Sequence, residues 1–262
     1  MAEPVLSYRG VTRTFQSRGQ SVPALNDFTV DVVPGEFLTV VGPSGCGKST
    51  LLNLTVGLLQ PTRGEVLYKG TATQGINTNI GYVTQEDNLY PWRTLQANVE
   101  FGMEVRGTSK GQRQAVAGQL IGRVGLTGFE DRYRHELSGG MRQRGHIART
   151  LAYEPDVILM DEPFGPLDVQ TRLQSQELLL ELWAERDTTI VFITHDLTEA
   201  VSLSDRVIVL SKRPGTIKEI FDVPLSRPRD IFSLPTSDDF REVYDPLWDL
   251  LQAEMRESKK AV

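Results

Sequence analysis

The sequence predicts an α/β chain with an N-terminal antiparallel β-platform, a mostly parallel core sheet and an inserted helical subdomain. Three observations predict it. A short apolar strand at 37–41 runs into a glycine-rich loop and then a helix, and fully apolar runs at 157–160 and 189–194 fit strands buried on both faces. Between about 91 and 155 strand alternation disappears and helical spacing replaces it.

The elements follow in order. Residues 4–15 and 28–33 read as strands, the second with Phe28, Val30 and Val32 on one face, and Pro34-Gly35-Glu36 turns the chain into the strand at 37–41. Leu51, Leu52 and Leu54 continue helically after the loop. A turn at Pro61-Thr62-Arg63-Gly64 precedes strands at 65–68 and 80–83. Helical patterns then occupy 95–105, 110–124 and 138–153, with Gly107, Gly125 and Gly128 as stops, while Gly118 and Gly122 weaken the middle helix. Strands at 206–210 and 217–223 lead to a C-terminal extension, 224–262, with a helix over about 240–260. The whole of 1–262 reads as one domain with its helical insert at about 91–155.

Composition narrows the class. Hydrophobic residues at 39% and charged ones at 24% are ordinary for a soluble globular chain, and a net charge of −6 weighs against a surface that coats nucleic acid. No apolar run approaches the ~20 residues that span a bilayer, and the N-terminus lacks the basic start and apolar core of a signal peptide. The single Cys46 excludes an internal disulfide and suits a reducing cytosol. It fits its loop as a small residue; a thiol beside phosphates would also make nucleotide binding sensitive to alkylation.

The chemistry concentrates at strand ends. Gly42-Pro43-Ser44-Gly45-Cys46-Gly47-Lys48-Ser49 matches a phosphate-binding loop at every fixed position, followed by Thr50. Its glycines let backbone N–H groups turn toward an anion, and the helix start adds its positive dipole end. A triphosphate is the natural ligand, with Lys48 reaching the β- and γ-phosphates, Ser49 on Mg²⁺ and Thr50 a further hydroxyl. Asp161 and Glu162 end a buried strand, where two acids cost desolvation unless a cation or a proton transfer needs them. Asp161 suits the Mg²⁺ shell through water, and Glu162 suits the base that polarises the attacking water. Gln85 at a strand end is either a solvated residue or a Mg²⁺ ligand, and Phe15 is either core or an adenine-stacking ring. Ser138 caps a helix that opens with Gly139 and Gly140, leaving amides open to an anion. His195 follows a buried strand where ligands gather, whereas His135 and His146 read as surface or packing residues.

Together these motifs resemble the nucleotide-binding subunit of ATP-binding cassette (ABC) transporters, a P-loop NTPase family. The resemblance rests on the loop from Gly42 to Thr50, Gln85, Leu137-Ser138-Gly139-Gly140, Asp161-Glu162, Asp168 and His195, in the family's order along the whole chain. It implies that ATP and Mg²⁺ bind, that two copies pair head to tail, and that Ser138, Gly139 and Gly140 close on ATP held by the other copy. It further implies that Phe15 stacks on adenine, Gln85 senses Mg²⁺ and couples to the membrane subunit, Glu162 is the base, Asp168 bridges the copies and His195 contacts the γ-phosphate. Gln85-Glu86-Asp87-Asn88-Leu89-Tyr90-Pro91-Trp92-Arg93-Thr94, Asp161 to Phe164 and Ser226-Arg227-Pro228-Arg229-Asp230 look like the nitrate, sulfonate and taurine importer branch.

That branch implies permease subunits, a second ATPase copy or sister subunit, an indirect extracytoplasmic solute-binding protein, no nucleic acid, and a place on the cytoplasmic face of the membrane. The alternatives are an exporter or lipid-trafficking ATPase, and a soluble cassette acting on nucleic acid or the ribosome. The latter typically carries two cassettes, whereas this chain has one. Pro166 and Gly145-His146 depart from the usual pattern, the glycine at an expected cost of about 1 kcal/mol in a helix.

Overall fold

The computed structural model describes residues 3–17 and 19–260. The phosphate-loop strand is apolar at almost every position, so it is stable only where both faces are covered, and it lies inside the larger of two sheets. The strands are β1 (Leu6–Ser17), β2 (Gln20–Val32), β3 (Phe37–Val41), β4 (Arg63–Tyr68), β5 (Thr71–Ala72), β6 (Ile80–Val83), β7 (Val157–Asp161), β8 (Thr189–Ile193), β9 (Arg206–Leu210) and β10 (Ile217–Asp222). The helices are α1 (Lys48–Thr55), α2 (Leu95–Val105), α3 (Lys110–Arg123), α4 (Gly139–Leu151), α5 (Val169–Ala184), α6 (Leu197–Leu203) and α7 (Asp238–Lys260).

The smaller sheet is antiparallel, in the order β2-β1-β4-β5. The larger runs β10-β9-β3-β8-β7-β6, parallel except that β10 returns antiparallel to β9. Strands β6 and β7 are hydrogen-bonded neighbours, Ile80 opposite Val157, so the chain leaves the sheet for α2, α3 and α4 and re-enters beside its exit.

Three features escape the sequence pattern. Strand β2 begins at Gln20 rather than at 28, because register shifts in its pairing with β1 destroy the alternation of its first half. Helix α5 hides because its inner face mixes Leu179 and Leu182 with Ser175 and Gln176. Helix α6 has only seven residues, six of them buried, too few to show a period.

Two glycines act through packing. A Cβ on Gly145 would come 2.7 Å from Leu95 Cδ1, so the glycine lets α4 lie against α2. In the β9–β10 turn, a Cβ on Gly215 would lie 2.1 Å from the Cys46 carbonyl oxygen. The Gly215 N–H donates to Ala24 O at 2.9 Å and its carbonyl accepts from Asn26 N–H at 3.0 Å, which straps the smaller sheet onto the phosphate loop.

Helix α7 covers α6, with Phe240, Leu247 and Leu251 in one buried cluster with Leu197, Ala200 and Val201. The buried Arg229 donates to the carbonyls of Ser202 at 3.2 Å, Ser204 at 2.7 Å and Leu225 at 3.0 Å, closing the C-terminal end of α6. Burial pulls its guanidinium down to about 10. Arg227 pairs with Asp205 at 2.7 Å and lies 4.2 Å over the Trp183 ring.

The glycines separate by environment. A Cβ at Gly118, inside α3, would meet only open space, so Gly118→Ala should raise stability by about 0.5–1 kcal/mol. Gly215→Ala should lower it by about 1–3 kcal/mol because a backbone carbonyl must give way. Thermal melting of the two variants beside wild type reads both signs.

Candidate functional site

The parallel register aligns the candidate residues. Val40 stands opposite Ile193, Ile193 opposite Asp161, and Val83 opposite Met160. The loop at Gly42, the Asp161-Glu162 pair, His195 and Gln85 therefore all emerge at the carboxyl ends of adjacent strands.

The loop is built for an anion. Gly47 takes φ 106° before α1, a conformation that a β-carbon would strain, and neither a side-chain cap nor a first-turn acid occupies that helix end. Lys48 is 7% exposed, and its ammonium donates to Gly42 O at 2.8 Å and Pro43 O at 3.3 Å. The loop, Ala24, Glu162 and Arg213 line a cleft of about 340 Å³. Ala24 and Arg213 carry no sequence signal. They reach the loop only through the contact between the β9–β10 turn and β2, where Arg213 Nε donates to Pro23 O at 3.1 Å.

The Ser49 hydroxyl lies beside the Asp161 carboxylate. Burial pushes the Asp161 carboxyl up, the Ser49 hydroxyl opposes this, the charge of Glu162 adds to the rise, and Lys48 opposes it. A carboxylate held above its ordinary range beside a hydroxyl fits a hard divalent cation. Among the described residues no group of three or more His, Cys, Asp or Glu side chains forms a self-sufficient metal site. Mg²⁺ would therefore complete its shell from phosphate oxygens and water, which is how it is commonly held.

Glu162 has φ 46°, uncommon for a non-glycine residue. Backbone bonds hold it there, its N–H donating to Ile193 O at 2.9 Å and its carbonyl accepting from Gly165 N–H at 3.1 Å. The conformation turns the carboxylate to His195, whose Nδ1 lies 2.9 Å from Glu162 Oε2. Glu162 is largely shielded and His195 is exposed.

The remaining candidates lie outside this cleft. Ser138 Oγ caps α4 by accepting from Met141 N–H at 3.3 Å, and a Cβ on Gly140 would lie 2.3 Å from Thr171 Cγ2, so α4 meets α5 closely there. Gly139 is exposed and lines a second groove, of about 410 Å³, with Gln85, Asp87, Gln143 and Pro166. Arg134 and Arg142 both bond Asp87, at 2.6 and 3.0 Å, tying the segment after β6 to α4. Burial raises the Asp87 carboxyl, but its bonds to Arg134, the Leu89 amide and Arg142 outweigh this and hold it low. Asp168 caps α5, accepting from Thr171 N–H at 3.0 Å, and the Thr171 hydroxyl, with that amide, lowers its carboxyl. Phe15 is half-buried in β1 opposite Val22, with the Arg13 guanidinium 4.7 Å over its ring. Cys46 is 1% exposed and burial pushes its thiol up, so the thiol packs in the core and is shielded from reagents.

A phosphate cradle followed by acids on a parallel strand one removed in the same sheet defines a P-loop nucleotide hydrolase. The family described as ABC transporter matches residues 25–165. An uncharacterized ABC transporter ATP-binding protein of Methanocaldococcus jannaschii is 48% identical over 97% of this chain and 94% of its own length. The taurine import ATP-binding protein TauB of Roseobacter denitrificans is 41% identical over 94% of each. A solved dimeric ATP-binding cassette, in a post-hydrolysis state with ADP and Pi, superposes with a TM-score of 0.75 at 32% identity, over 84% of this chain and 100% of that one. The chain belongs to the ABC transporter family and is an ATP-binding cassette ATPase.

The burials predict two solution properties. Native protein should resist N-ethylmaleimide at Cys46 and label fully in denaturant; rapid native labelling read by mass spectrometry would contradict the packed thiol. His146, buried in α4 and further disfavoured by the charge of Arg149, has its imidazolium pushed down to about 3. Below about pH 6.5 the unfolded chain binds a proton that the native state refuses, so stability falls by up to about 1.4 kcal/mol per pH unit from this residue. Urea unfolding at pH 7 and 5 should show a smaller acid loss for His146→Gln than for wild type.

Proposed function

We propose that the protein is the energising subunit of an ABC importer for a small anionic or zwitterionic solute of the nitrate, sulfonate or taurine kind. The observation that carries the reading is the match to the taurine import protein, 41% identical along 94% of the chain. No helix among the described residues is long and apolar enough to cross a membrane, so transport requires a permease partner. A groove of about 530 Å³ lined by Val56, Tyr90, Phe101, Val105 and Tyr153 supports that partnership. Beside it Trp92 is 71% exposed and stacks on Tyr90 at 5.3 Å, an apolar surface suited to a permease segment.

In this reading the Gly42–Thr50 loop binds the triphosphate, with the Lys48 ammonium moving from backbone carbonyls to the β- and γ-phosphates. Bound Mg²⁺, held by Ser49 and Asp161 and sensed by Gln85, would neutralise charge developing on the phosphate oxygens. Glu162 accepts a proton from the attacking water, and His195 contacts the γ-phosphate while its Nδ1 faces Glu162. Phe15 stacks on adenine. A second copy supplies Ser138, Gly139 and Gly140 to the same nucleotide, with Asp168 at the seam. The solved dimer of a related cassette supports that pairing.

Glu162→Gln should keep ATP affinity but lower kcat by about 10²–10⁴-fold, and should run as an ATP-dependent dimer in size-exclusion chromatography. Tagged Glu162→Gln protein with ATP, captured from detergent-solubilised membranes, should bring down a multispanning permease and a solute-binding protein. Ribosomal or DNA-bound proteins in their place would refute the transport reading. Lys48→Ala should abolish nucleotide binding, measured by calorimetry.

A further inference from the structure

Behind the exposed His195 lies a carboxylate that reaches neither the cleft nor solvent. Glu199, in the first turn of α6, is 5% exposed. Its Oε2 accepts from Thr194 Oγ1 at 2.5 Å and its Oε1 from Gln176 Nε2 at 2.9 Å. The Thr194 hydroxyl also accepts from the Asp196 N–H at 3.0 Å, so both neighbours of His195 hang on one side-chain pair.

The other arm of Glu199 reaches α5. Gln176 lies two turns after the Asp168 cap, and between them Arg172 donates to Leu167 O at 3.1 Å. The Arg172 guanidinium lies 3.5 Å from Asp196 Oδ2 and 4.0 Å from Glu199 Oε1. The cluster thus runs from the Leu167-Asp168 end of α5 to the two residues that flank His195. Burial pushes the Glu199 carboxyl up, opposed by the Thr194 bond. An apolar residue of similar volume would avoid that desolvation, so packing alone does not account for an acid here.

We propose that Glu199 is a positioning residue: it ties the Thr194-His195-Asp196 turn to α5, so that displacement of the Asp168 end of α5 moves His195 relative to Glu162. The proposal rests on the reading of His195 as a γ-phosphate contact. Its chemistry is mechanical. No proton or bond changes at Glu199, which holds two donors from two elements in one place. Gln at 199 keeps both contacts by a flip of the Gln176 amide, whereas Leu at 199 accepts neither bond, and the turn loses its anchor to α5.

The test is steady-state ATPase activity and ATP-analogue binding with purified wild type, Glu199→Leu, His195→Ala and the double variant. Glu199→Leu should lower kcat by about 10²-fold with KM and analogue affinity unchanged, the scale of a misplaced catalytic group. In the His195→Ala background the same substitution should cause no further loss, because Glu199 acts through that side chain. A purely structural role would lower both backgrounds by the same factor, and that result, or an unchanged kcat, overturns the proposal. If Glu199→Leu does not fold, Thr194→Val removes the Thr194 anchor and carries the same two expectations. A His195→Ala protein at wild-type kcat would refute the role of His195 and this proposal with it, whereas an impaired His195→Ala beside an unimpaired Glu199→Leu refutes only the tie.

Discussion

The parallel hydrogen-bond ladder through β3, β8, β7 and β6 is the constraint on which the rest depends. A one-residue slip between β7 and β8 would exchange which of Val157 to Met160 face the two core clusters and would carry Glu162 away from His195. The apolar character of these strands therefore does two jobs at once. It buries both faces of the sheet, and it holds the register that sets a lysine, two acids and a histidine at one edge. The charged groups contribute little to holding this arrangement; Lys48 and Asp161 are partly desolvated there, a cost met by the core beneath them.

Strain and burial concentrate at the same edge. Glu162 keeps a backbone conformation that its own side chain disfavours, and two backbone bonds over-determine it. The arrangement is pre-organised, since the acid faces the histidine without any rearrangement of the strand end. Away from the edge, Arg227 and Arg229 clamp the far end of α6 while Glu199 anchors its near end, so this short helix is held at both termini by side-chain bonds to other parts of the chain. That explains how seven residues stay helical, well below the length at which a helix is stable alone.

Legibility followed the locality of the physics. The phosphate loop, the Asp161-Glu162 strand end and the Ser138 cap are readable because each chemistry demands particular residues at fixed separations along the chain. Strands β3, β7 and β8 are readable because two-sided burial leaves an unbroken apolar run. Helices α5 and α6 are not, since their inward faces carry Gln176 and Glu199, whose partners are set by tertiary contact. Arg213 and Ala24 are invisible for the same reason, being brought to the loop by neighbouring elements. Gly145 looks like a weak point in a helix until Leu95 is seen above it.

The strap at Gly215 bears on how the nucleotide cleft can diversify. Growth of a side chain at 215 is blocked by the Cys46 carbonyl, while Arg213, two residues earlier, projects at the exposed lip of the cleft. One short turn thus joins a crowded position to an exposed one. Substitution at residue 213 would change the charge and reach of the cleft mouth at the cost of its bond to Pro23 O, while the backbone bonds of Gly215 would still hold the turn against the smaller sheet.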